Sequence, residues 1–233
     1  RMAHNYSGLV VRFAPENGMG GGDDPRLTRS YLGIAMLHDI GCAMAGPHGK
    51  IGQLQEAYRT IGLLRRFGYF EDDGKTEYIP FWRNKHLVQY APDAPEEEPD
   101  TGSPLDALEG DPEISVYRRP LEDGRNGVKV LIVLQNERDD ATEYPLTIAG
   151  VERILGGPNT LTAAQVLADV DVPPDLGEWW AGATQKHDRQ APVLLDLETG
   201  DPVACADKSK EKYGPIYVPY HNHRVFYAEH AEP

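Results

Sequence analysis

Several things are missing from this sequence, and each absence removes a class of function. No apolar run approaches the roughly 20 residues that a membrane-spanning helix needs. The two cysteines, Cys42 and Cys205, lie far apart and supply no zinc spacing; they read as two small buried residues, with a disulfide left open. The glycine-rich stretch GMGGGDD at residues 18–24 lacks the lysine and hydroxyl residue of a phosphate-binding loop and does not match the dinucleotide fingerprint. No nucleophile elbow of a serine hydrolase is present, and no internal repeat stands out. Positive charge is also scarce. With 23 lysines and arginines against 37 acids, the net charge of −14 repels phosphate backbones and anionic lipid surfaces, so neither nucleic acid nor membrane is an expected partner. No metal site or cofactor is expected.

What the 233 residues do contain is enough apolar material, 40%, for a real core, and 24 glycines with 19 prolines, which favour short elements separated by turns. Part of the acidity is concentrated at Glu96, Glu97 and Glu98, within an acidic, proline-rich loop at residues 91–112. The chain begins at Arg1 with no secretory segment behind it, and reads as processed, excised or incomplete.

The first seventy residues spell strand, helix, strand, helix. Residues 7–13 (SGLVVRF) form a short apolar strand, and Pro25 suits the first turn of a helix over residues 26–38, where Leu27, Tyr31, Ile34 and Leu37 recur at helical spacing. Residues 40–45 (IGCAMA) make a second buried strand. A second amphipathic helix over residues 51–67 stops at Gly68. This order predicts a parallel βαβα unit, which needs cover on both faces.

The pattern then changes to strands: residues 77–82, 85–90, 114–118, 128–135, 144–148, 193–197 and a last strand at 216–220 or continuing through 224–228. Among these, VKVLIVLQ at 128–135 is the strongest, being rich in β-branched residues. Residues 163–169 form a short helix or strand. Regularly spaced short strands predict an antiparallel sandwich. The expected division is residues 1–72 and residues 73–233.

Four stretches carry a family resemblance: LHDIG at 37–41, ISVYRRP at 114–120, VLIVLQN at 130–136 and VPYHNHRVFYA at 218–228. Together with the element order, they make the chain resemble the C-terminal part of glycoside hydrolases in which a (β/α)8 barrel is followed by a β-sandwich. The resemblance implies an α+β fold: a partial (β/α) barrel tail, strand-helix-strand-helix, then an antiparallel β-sandwich domain. It implies a carbohydrate ligand, and a missing N-terminal barrel portion or a partner chain that holds the catalytic carboxylates. The isolated chain is then expected to be inactive, with no catalytic residue assignable. The alternative is a non-catalytic carbohydrate-binding or structural β-sandwich module.

Barrel sites gather on the loops after strand ends. Here those loops carry Glu16, Asn17, Asp23, Asp24 and His48 as candidate sugar-binding residues, although Asp24 equally suits a helix N-cap and His48 an ordinary loop histidine. Trp179 and Trp180 offer indole faces for a pyranose ring, or else pack in a core or interface, and the same holds for Trp82 within its strand pattern. His221 and His223 alternate as strand metal ligands do, but no third ligand accompanies them, and a strand end is the simpler reading.

Overall fold

A computed structural model describes residues 10–13, 25–39, 41–44, 62, 64–65, 67–71, 73–90, 112–122, 124–136, 145–168, 190–207, 212–219 and 222–232. Its dominant feature is one antiparallel sheet of nine strands. In chain order these are β3 (Glu77–Ile79), β4 (Val88–Tyr90), β5 (Glu113–Pro120), β6 (Gly127–Asn136), β7 (Leu146–Ala149), β8 (Val193–Asp196), β9 (Pro202–Asp207), β10 (Lys212–Ile216) and β11 (Asn222–Ala231). Across the sheet they run β3-β5-β6-β11-β8-β9-β10-β7-β4. Two further strands, β1 (Val10–Phe13) and β2 (Gly41–Met44), pair in parallel on either side of helix α1 (Pro25–Leu37) in the chain.

The large sheet curls, and its core shows this. Ile114 and Val116 of β5 share one apolar cluster with Leu146 and Ile148 of β7, although five strands separate β5 from β7 in the sheet order. Val130, Ile132 and Leu134 of β6, Leu194 of β8, Tyr213 of β10 and Phe226 of β11 fill the same concave interior. Each fully buried aliphatic side chain there contributes about 1.5–3 kcal/mol of burial free energy. Register shifts where β10 meets β9 and β7 bend the ladder at this end of the curl. The edge strands β3 and β4 are joined by only residues 80–87, which bring the two ends of the sheet together. This segment forms two short 3-10 turns, Phe81–Arg83 and Lys85–Leu87, and Leu87 inserts into the interior.

The strongest strand pattern has a simple physical cause. Residues 130–135 of β6 are all buried, because both faces of the strand are covered. The even residues point to the interior. On the outer face Leu131 and Val133 pack with Met36, Leu64, Phe67, Tyr69, Tyr117 and Val225. α1 lies on this outer wall, crossing β5, β6 and β11. Gly33 permits the close approach: a Cβ there would fall 1.7 Å from Gln135 Oε1 and 2.8 Å from His223 Cβ. Gln135 and His223 are themselves register partners on β6 and β11.

These findings correct the expected fold class. The antiparallel part is a single curled sheet in which β9 pairs with both β8 and β10, so two separately packed sheets of a sandwich do not exist among the described strands. The strand-helix barrel tail is likewise replaced: the described parallel pairing is a two-stranded sheet, and α1 packs on the antiparallel wall. Local periodicity finds strands and helices, but sheet closure is decided by pairings between distant segments, which periodicity does not encode.

Two local expectations change as well. The runs at 77–82 and 85–90 begin or end as strands but form 3-10 turns between, where Pro80 ends β3. Of the two forms expected near residues 163–169, the structure has the helix, at Ala163–Ala168, while β9 and the helix Val151–Leu155 lie where no element was expected.

Candidate functional site

The densest polar chemistry lies where α1 meets the sheet. The β8–β9 turn DLETGD is shaped by Asp196, whose Oδ1 accepts the backbone N–H groups of Glu198 at 2.8 Å and Thr199 at 3.3 Å. This turn directs Glu198 inward, under α1. Its carboxylate accepts two bonds from Arg29 Nη2, at 2.6 and 2.8 Å. Arg29 Nη2 also donates to the His223 carbonyl at 2.9 Å, and its Nε donates to Asn222 Oδ1 at 2.7 Å. His223 is fully buried: Nδ1 lies 2.6 Å from the Arg29 carbonyl and Nε2 lies 3.3 Å from Glu198 Oε1. Arg224 Nη1 completes the group, 3.5 Å from Asp196 and 3.7 Å from Glu198.

The two carboxyls of this turn respond in opposite directions. Burial raises the Glu198 carboxyl, but the His223 and Arg29 contacts overcome it and hold the group at about 2. Burial pushes the Asp196 carboxyl up, and the Glu198 N–H and Arg224 only partly offset it. Opposed carboxyl shifts are a feature of acid–base sites. Here, though, the donors and carboxylates are turned on one another inside the helix–sheet contact. The arrangement acts as a latch on the N-terminal half of α1.

A second set of contacts holds the other end of the helix. An α-helix leaves its last carbonyls without intrahelical partners. The Met36 carbonyl accepts from the Tyr117 hydroxyl, and the Leu37 carbonyl accepts from the Tyr78 and Ser115 hydroxyls, both at 2.5 Å. Tyr69 OH lies 3.2 Å from Asp39 Oδ1 and 3.4 Å from Tyr117 OH. Asp39 follows the helix with φ 53°, the left-handed turn that ends helices. Burial pushes the Tyr117 phenol well up, so it stays a donor across the working pH range.

A third polar cluster is centred on Arg119, on the outer face of β5. Its guanidinium is fully buried and bonds Asp73, Glu122, Glu71 and Thr76. The carboxylates of Glu71, Asp73 and Glu122 approach one another closely enough to hold a cation, and the arginine already fills that role. Hydrogen bonds from Arg119 hold the Asp73 carboxyl well below its usual range.

Glu16, Asn17, Asp23, Asp24, His48, Trp179, Trp180 and His221 lie outside the described residues. Of the residues singled out in the sequence, the structure places His223 in the latch and Trp82 on a 3-10 turn. Trp82 is 57% exposed, a correction to its expected place in a strand. Sequence reasoning missed Arg29, Glu198 and Arg119, and only the DLETGD turn gave any signal. No family model, curated protein or solved structure matches the chain.

Proposed function

We propose that this chain is a non-catalytic accessory module, in which the curled sheet is a rigid platform that carries the βαβ unit on its outer wall. The observation behind this reading is the two-ended hold on α1: Arg29 bound to Glu198, Asn222 and His223 near one end, and sheet hydroxyls on the Met36 and Leu37 carbonyls at the other. Chemistry-bearing side chains are used as fastening. The concave interior is filled with Leu, Ile, Val and Phe and serves as core. Limited trypsin digestion of the full chain carrying both Arg29→Met and Glu198→Gln tests the reading. The expected outcome is early cleavage within the first seventy residues while a core spanning β5 to β11 resists. Loss of both regions at one rate sinks it.

A second reading, a carbohydrate-binding module, is favoured by one observation. The Trp82 indole stands exposed on the segment that closes the sheet, as an indole that stacks on a pyranose ring must.

A further inference from the structure

We propose that residues 80–87, the segment joining β3 to β4, form a binding surface for uronic acid polymers: a pyranose ring stacks on Trp82, and ring carboxylates meet Arg83 and Lys85. The proposal rests on the carbohydrate reading and names its ligand class. A 3-10 helix has three residues per turn, so positions three apart share a face. Here Phe81, Asn84 and Leu87 form the inward column, Asn84 and Leu87 being buried, and Trp82, Arg83, Lys85 and His86 are all exposed on the other side.

The backbone beneath is fixed. Arg83 N–H donates to the Pro80 carbonyl at 2.9 Å, Asn84 N–H to the Phe81 carbonyl at 2.8 Å and Leu87 N–H to the Asn84 carbonyl at 2.9 Å. The buried Asn84 amide donates to the Ile79 and Pro80 carbonyls at 3.0 and 3.2 Å. Phe81 braces the indole edge-on at 5.1 Å and is itself met edge-on by His38 at 5.0 Å. A surface already held in its binding geometry loses little entropy on binding.

Charge and shape together select the ligand. In a chain of net charge −14, this segment carries Arg83, Lys85 and His86 and no acid. No hydrogen bond or ion pair joins the side chains of these three or of Trp82 to another described residue. The neighbouring acid Glu77 is taken by Arg118 at 3.6 Å. Nucleic acid is a poor fit, since a tight complex uses about 6–10 phosphate contacts and this segment offers two fixed cations, Arg83 and Lys85. A uronate polymer presents one carboxylate per ring beside an apolar ring face, and this segment offers one exposed indole together with two exposed cations.

The test is native gel electrophoresis of the full chain through gels containing polygalacturonate, polymannuronate or fully methyl-esterified polygalacturonate, with circular dichroism confirming each variant's fold. Both uronates are expected to retard the wild type. Trp82→Ala should weaken retardation by every polymer about tenfold or more, a loss of about 1.4 kcal/mol. The double variant Arg83→Gln with Lys85→Gln should lose uronate binding to the same extent and keep its binding to the methyl ester. Retardation by none of the polymers, or wild-type retardation of Trp82→Ala, overturns the proposal together with the carbohydrate reading. Equal binding of ester and acid overturns the uronate preference alone. Duplex DNA bound as tightly as the uronates marks a general anion patch and also overturns it. None of these results bears on the α1 platform.

Discussion

Two ion clusters sit on the outer wall of the same sheet and are built inside out relative to each other. Around β5 the cation is central: Arg119 has no side-chain exposure, while its partners Glu71, Asp73 and Glu122 are 53%, 29% and 39% exposed. Under α1 the anion is central: Glu198 is 2% exposed and His223 0%, with Arg29 at 13%. The pairs look alike by distance, but their consequences differ. Acids that lose Arg119 can rehydrate where they stand. Arg29, once it loses Glu198, remains trapped between helix and sheet, where an unpaired charge is costly.

The largest effect should therefore follow Glu198→Ala, with a loss of about 3–5 kcal/mol in urea unfolding, the usual consequence of leaving a buried partner unpaired. Arg119→Leu should cost less than half as much, and a larger loss there would erase the contrast. Acid titration gives the next effect. Glu198 is held at about 2, below its ordinary 4.5, so its contribution is fully present above about pH 4.5 and is lost as pH falls toward 2. The shift corresponds to about 3 kcal/mol. Glu198→Gln should flatten that part of the stability–pH curve. Glu122 and Asp73, also lowered, keep a residual slope of the same sign, and Asp196, raised, one of the opposite sign. Salt should separate the clusters further. At 1 M, where the screening length is about 3 Å, the Arg119–Glu122 coupling in a double-mutant cycle should shrink while the Arg29–Glu198 coupling persists. The smallest effect should be that of Glu71→Gln, within about 1 kcal/mol of wild type because a half-exposed pair contributes little.

The sequence shows the pieces of this fold more clearly than their assembly. β6 is legible because VKVLIVLQ is apolar on both faces, and α1 because Leu37 and its predecessors recur at helical spacing behind Pro25. The segment at 77–90 is misleading. Its aromatic and apolar residues resemble two strands, and only Pro80 and the three-residue recurrence of Phe81, Asn84 and Leu87 point to 3-10 turns. The single curled sheet is not legible at all, because it depends on β8 joining β11 and on register shifts at β10. The latch is hidden for the same reason. His223 alternates with His221 in the sequence, yet its partners are 194 residues away at Arg29 and on a separate turn at Glu198. Nothing local links them.

The most direct test of the platform account is hydrogen exchange, comparing the full chain with its Glu198→Gln variant at pH 7. The account predicts faster exchange of the α1 amides from Arg29 to Gly33, nearest the latch, while the β6 amides from Val130 to Leu134 keep their wild-type protection. If α1 and β6 lose protection together, or if α1 keeps its own, the latch does not hold the helix to an independent platform and the account is wrong.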